Sequence, residues 1–366
     1  MTQITLHVRS YNVSIKDARV FTGESVIDSG VVVVENGTIT HCGREMPTSL
    51  PPNLPILSKH GHTLMPGLID SHVHTFDSTY SLEQSIKFGV TTVMDMDNET
   101  QHARTIKAFA QSRNDVADYK SSFYSATING GWPEFVIRLH APTNLAGLDQ
   151  WPKLQTMKDA EEFVNKNIAD GADYIKVMQE CGISIGIKIL HATLDLQAAV
   201  VQAAQRRGKV AVAHATCVQD TLLVLQAGVN GTTHTCYDQP ITREVIDLYQ
   251  RNDECCNPTL AAIGSFTGEG KYLQEIYGAD ERVQKLLTED VKRRMGSCYH
   301  MAAPASKAEY AYENVRKLHK AGVDIVWQVA SRTEICSNAE IIILRVADCG
   351  KADLTLLRPL QGKSMD

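Results

Sequence analysis

No stretch of the 366-residue sequence is apolar for long enough to span a bilayer. The opening residues MTQITLHVRSYNV alternate polar and apolar and lack the apolar core of a secretory signal. No Lys/Arg-rich run stands out, and the net charge of −6 offers no general attraction to phosphate backbones or anionic membranes. Neither nucleic acid nor a membrane is therefore expected as a partner. No CxxC spacing occurs among the nine cysteines, an odd number of which only Cys255 and Cys256 are neighbours. That argues against a disulfide framework or a cysteine zinc site and for free thiols in a reducing compartment, so the expected location is cytoplasmic. No glycine-rich phosphate loop follows an early strand, and Asn129-Gly130-Gly131-Trp132 is too short to count as one. Internal repeats and low-complexity tracts are absent as well.

What is present describes an ordinary globular protein, 43% hydrophobic and 21% charged, long enough for a large α/β domain with a small companion. The first sixty residues read as short strands, with Asn36-Gly37 between β-branched runs as a hairpin signal. The proline-rich stretch 47–63 breaks that pattern and predicts a crossing between domains. From Leu64 onward, β-rich segments alternate with helical ones about eight times, the number that closes a (β/α)8 TIM-like barrel. Ser81 with Gln84 has capping-box spacing, and Arg206-Arg207-Gly208 ends a helix with cations and a glycine. Near the other end, GKADLTLLRP returns to strand texture that can rejoin the N-terminal strands.

The polar residues on these strands carry the chemistry. In PGLIDSHVH, His72 and His74 sit either side of Val73 and point to one face of a strand. Two neutral imidazoles so placed suit a cation between them. Lys176 lies inside the fourth strand, DYIKVM; His214 ends the fifth, KVAVAHA; His234 ends the sixth, NGTTHTC. Singly, each histidine reads as a hydrogen-bonded core imidazole, and Lys176 as a lysine that snorkels or pairs with a carboxylate. Jointly they converge on the mouth where such barrels place reactive groups. Imidazole nitrogens with oxygen donors suit zinc or another first-row divalent metal, and a lysine buried among them must lose its charge.

MPGLIDSHVH, the lysine of GADYIKVM, the histidines of VAVAHA and GTTHTC, and the ADLTLL tail together resemble the amidohydrolase superfamily. The imidazolonepropionase-like and Xaa-Pro dipeptidase-like branch is the nearest. The likeness runs from about Ile15 to Gly322 and resumes near Gly350. It implies a small β-sandwich from residues 1–62 and 349–366, attached to a metal-bearing barrel over 63–348. It implies two divalent metals, zinc foremost: His72 and His74 on one, His214 and His234 on the other. Lys176, carboxylated by carbon dioxide to a carbamate, would bridge both. The implied activity is hydrolysis of a C–N bond in an amide, cyclic amide or dipeptide-like small molecule by a metal-bridging hydroxide. Trp132 and Tyr237 are candidate pocket residues, and each also reads as a packing aromatic.

One departure is sharp. The pattern expects an aspartate ending strand eight, after AGV, yet Gln328, Val329 and Ala330 occupy those places, with Ala330 at the aspartate's. Asp324 lies about six residues, ~20 Å of extended chain, too early. Only about twenty residues then precede the ADL tail, with Ser337 and Glu340 spaced to cap one helix. So abrupt a change is that of a deletion or a mis-spliced reading frame rather than of gradual drift. Two rivals follow: a metal-binding homologue impaired in catalysis, and a metal-free Schiff-base lyase using Lys176. Barrel surface left uncovered near strand eight would favour self-association, and Asp238 is the alternative proton carrier.

Overall fold

The computed structural model describes residues 5–7, 12–140, 146–289, 291–292, 298–326 and 353–357. It is a mixed α/β structure. Six strands before residue 67 and one late strand form the first sheet: β1 (Thr5–His7), β2 (Val13–Phe21), β3 (Val26–Glu35), β4 (Thr38–Gly43), β5 (Ile56–Ser58), β6 (Thr63–Pro66) and β15 (Asp353–Leu357). Their order is β1-β15-β6-β2-β3-β4, with β5 also paired to β2. Asn36 and Gly37 both adopt left-handed conformations, φ 52° and 76°, as a tight hairpin between β3 and β4 requires. Alternate residues of β2 and β3, among them Ile15, Val20, Val32 and Val34, bury one face with Leu64 of β6. The late strand does rejoin the N-terminal ones, pairing antiparallel with both β1 and β6. The proline-rich stretch is not a free crossing. Its residues 56–58 pair with β2 as β5, so the backbone donors there are taken up by the sheet.

Eight parallel strands follow in chain order. β7 (Leu68–Val73), β8 (Val90–Asp95) and β9 (Asp118–Ser121) form one sheet. β10 (Ile175–Met178), β11 (Ala211–His214), β12 (Gly231–Thr233), β13 (Cys255–Asn257) and β14 (Asp324–Ile325) form another. A parallel bridge from Ala126 to Val177 joins the two. At the other side, Asn257 Nδ2 donates to the backbone oxygen and the hydroxyl of Ser71 at 3.0 and 2.9 Å, tying β13 to β7.

Helices separate successive strands and cover them. The helix Met157–Asp170 starts with a capping box between Thr156 and Asp159 and ends at Gly171, φ 113°. The helix Leu194–Arg206 ends, as the sequence predicts, at Arg207 with Gly208 left-handed behind it. Both helices lay Phe163, Val164, Val200, Val201 and Ala204 onto Ile175, Val177, Ala211 and Ala213. Covered on both faces, β10 is buried at every residue, the reason it reads as an unbroken apolar run around one lysine.

The box expected at Ser81 and Gln84 does not form. The helix Tyr80–Lys87 begins two residues sooner than Ser81 as N-cap would place it; Ser78 Oγ accepts from Tyr80 N at 3.3 Å, and Ser81 Oγ donates back to Ser78 O. No helix among the described residues is long and apolar enough to cross a membrane. Gln328, Val329 and Ala330, like Ser337 and Glu340, lie outside the described residues.

Candidate metal centre

The strand-end residues singled out in the sequence come together. His72 is the fifth residue of β7 and His74 follows its end; their rings are 5.2 Å apart between centroids. His72 also lies 4.9 Å from His234, which in turn lies 4.6 Å from His214. The four imidazoles thus form a continuous row across the ends of β7, β12 and β11. His72, His214 and His234 are buried, while His74 opens to solvent. His234 adopts a left-handed φ of 76°, a conformation uncommon for a non-glycine residue, at the point where its ring turns into the row.

Burial dominates the electrostatics. It holds His72 and His234 well below the usual imidazole range, with neighbouring histidines and Lys176 pushing the same way. It lowers His214 too, against the opposing pull of Glu180. Lys176 is 1% exposed, and burial lowers its amine to about 7, Asp97 opposing. Its Nζ reaches the Thr233 hydroxyl and lies 3.9 Å from Met96 Sδ. At neutral pH the row therefore offers uncharged nitrogens with lone pairs, and beside it an amine that is largely free to shed its proton.

Three residues that the motifs do not reveal complete the surroundings. Glu180, four residues after Lys176, puts a carboxylate oxygen 3.1 Å from His214 Nε2 and also accepts from the Thr216 hydroxyl and Gly182 N. With Nε2 so engaged, His214 has Nδ1 left for a ligand. His234 is the reverse: its Nδ1 bonds the Thr259 hydroxyl, so Nε2 is left. Such outer partners fix the tautomer and the aim of a liganding imidazole. Asp97 is the third. Burial raises its carboxyl to about 7, against a hydrogen bond from Ser125 N at 2.8 Å and the charge of Lys176. The signals were faint: an acidic pair in MDMDN past the second strand, and one carboxylate ending the buried run IKVMQE. Behind them, Asp95 accepts from Tyr119 and Asn98, and Asn98 donates to Phe76 O, which fixes the loop that carries His74.

The weaker candidates separate. Trp132 stacks on His214 at 5.1 Å and 27° and so belongs to the site's wall. Tyr237 is wholly buried in the cluster of Val218, Ile241 and Leu260, and among the described residues no ring contact or hydrogen bond joins it to the histidines. Asp238 is engaged elsewhere, accepting from Val218 N at 3.0 Å at the start of the helix Val218–Gln226. The expected position of the strand-eight aspartate, Ala330, falls outside the described residues.

No three of the site's imidazoles and carboxylates bring their donor atoms within 4.8 Å of one another; among the described residues only Cys181, Cys217 and Asp220 do.

No family profile matches the sequence, and no curated protein sequence matches it. Solved structures do. An Xaa-Pro dipeptidase with methionine bound in its active site is 20% identical over 86% of this chain and 78% of its own, with a TM-score of 0.63. An amidohydrolase is 18% identical, covering 86% of this chain and 77% of its own, at 0.61. The ochratoxinase of A. niger is 17% identical, covering 87% and 75%, at 0.65. At these identities the likeness is one of fold. The chain shares a fold with these proteins, among them an amidohydrolase, the family its motifs resemble.

Proposed function

We propose that the chain is a metal-dependent amidohydrolase that cleaves a C–N bond in an amide, cyclic amide or dipeptide-like small molecule. The observation that carries this reading is the row of four uncharged imidazoles at parallel strand ends, with the buried amine of Lys176 beside it. The likeness in fold to a dipeptidase and an amidohydrolase supports it. We read the eight parallel strands as one (β/α)8 barrel over residues 63–348. The first sheet, which takes in β6 (Thr63–Pro66) just past the expected boundary, is then part of the companion β-sandwich from residues 1–62 and 349–366, and the enzyme works in the cytoplasm.

The donor set fits two zinc ions or similar divalent cations. His72 and His74 would hold one, His214 Nδ1 and His234 Nε2 the other. Lys176, whose amine burial favours in its neutral form, would react with carbon dioxide and lose a proton to give an anionic carbamate, a charge that bound cations would offset. Metals bound there supply Lewis acidity, polarising the scissile carbonyl and acidifying a water. The chain's own residues do the rest. Glu180 and Thr259 hold the imidazoles in their tautomers, and Trp132 shields His214 from solvent.

A second reading rests on one observation: residues 328–330 contain no carboxylate. Proton transfer by a placed carboxylate contributes about 10²–10⁴ in rate, so without it the chain binds metal and turns over slowly or not at all.

Metal analysis of the purified protein tests the proposal, with two equivalents of a divalent first-row metal expected per chain. The double change His72→Ala with His74→Ala should empty one site. Lys176→Ala should lose the bridged pair and regain part of it in added short carboxylates. Lys176→Arg, which keeps its charge, should lose the pair for good. Full occupancy in Lys176→Arg would make the lysine structural. Hydrolysis of an amide panel then separates the active from the impaired reading.

A further inference from the structure

A second knot of reactive side chains lies on the loops that follow β10 and β11. Cys181 comes directly after Glu180 and is half-buried; Cys217, wholly buried, caps the helix Val218–Gln226. Their sulfurs are 3.5 Å apart. Asp220 holds them there: its Oδ2 accepts from Cys181 N at 2.8 Å and from the Cys217 thiol at 3.1 Å, while Oδ1 accepts from Gln179 Nε2 at 2.8 Å.

We propose that Cys181 and Cys217 are a disulfide-forming pair, oxidised by small-molecule disulfides, whose cross-link joins the β10 and β11 loops beside the imidazole row. The two sulfurs divide the work by exposure. Cys181, open to solvent, attacks as thiolate one sulfur of the incoming disulfide; a mixed disulfide forms and one thiolate leaves. Cys217 passes its proton to the Asp220 carboxylate that already accepts it, and its sulfur attacks Cys181 Sγ. The second thiolate leaves and takes up a proton. In sum two protein thiols are oxidised and one small disulfide is reduced to two thiols.

A metal is the competing occupant of such a trio. Both Asp220 oxygens, however, already accept hydrogen bonds, one of them from the Cys217 thiol itself. Other pairings are disfavoured: Cys255 and Cys256 are consecutive in β13, so their side chains point to opposite faces. Closing the gap to the ~2.0 Å of an S–S bond draws the loops together by about 1.5 Å. Cys181 adjoins Glu180, and Cys217 is three residues past His214, so both ends of the Glu180–His214 contact feel the closure. The cross-link itself does not depend on what the imidazoles hold.

The test uses the full chain, reduced, freed of reductant and then exposed to oxidised glutathione. The thiols of Cys181 and Cys217, followed by site-resolved alkylation after denaturation, should be lost together, whatever adduct exposed Cys42 carries. A non-reducing digest should contain one linked peptide pair, Cys181 with Cys217. Cys217→Ser should instead accumulate glutathione on Cys181. Cys181→Ser, at a half-buried site that folding tolerates, should form neither link nor adduct at Cys217. Both thiols remaining, glutathione persisting on Cys181 of the unaltered chain, a different linked pair, or a zinc ion lost with Cys181→Ser would each overturn the proposal. All are read by mass, so a failure here is distinct from an absence of hydrolysis.

Discussion

At Glu180 a carboxylate whose side chain is 1% exposed faces an imidazole whose side chain is 7% exposed. A buried ion pair or charged hydrogen bond of this kind is poor evidence for stability, since desolvation offsets most of the attraction. Its use is geometric. The carboxylate keeps the proton of His214 on Nε2 and turns Nδ1 toward the other rings. Glu180→Gln retains the size but removes the anionic acceptor. We expect metal affinity, measured by competition with a chromophoric chelator, to fall about 10–100-fold, with the fold retained by circular dichroism. Unchanged affinity would leave Glu180 a packing residue with no bearing on the site.

At the scale of elements, the passage from the first sheet into the parallel strands turns on Gly67, between β6 and β7. A Cβ there would run into the side chain of Thr91 in β8. Gly67→Ala should therefore cost about 1–3 kcal/mol in chemical denaturation by overpacking, and should loosen metal binding because β7 carries His72. Adding Thr91→Ala should recover part of both; recovery of neither would place the strain elsewhere. That His72, His74, His214 and His234 would converge was readable because a polar side chain at the end of an apolar strand has few structural reasons to be there. The parallel strands were readable from their period, and the Asn36-Gly37 hairpin from its turn chemistry. Glu180, Asp97 and Thr259 were not, since each acts through a partner distant in sequence that no local pattern names. The start of the helix at Tyr80 was missed for a smaller reason: Ser81 turns its hydroxyl back to Ser78 O instead of capping, and spacing alone does not show that.

For the whole molecule, the telling feature is β15, whose backbone pairs on both sides, with Thr355 opposite Thr5 in β1 and Met65 in β6. Thr355→Pro removes a donor from an interior strand. It should cost about 1–3 kcal/mol for the partner left unpaired, lower the thermal midpoint, and raise light scattering through the opened edges. An unchanged midpoint would mean that β15 adds nothing to the sheet. The same pairing sets a schedule for synthesis. At the 5–20 residues per second of translation, the ~290 residues separating β6 from β15 take roughly 15–60 s to emerge. Throughout that interval the nascent chain carries a sheet whose slot between β1 and β6 is vacant, while the segments bearing the histidines emerge in turn and can condense locally. Neighbouring chains on one messenger each present the same open slot and, in time, the same filler. Donation of β15 from one chain to the next is thus the characteristic error this topology invites, and a chaperone that guards β6 during synthesis would suppress it.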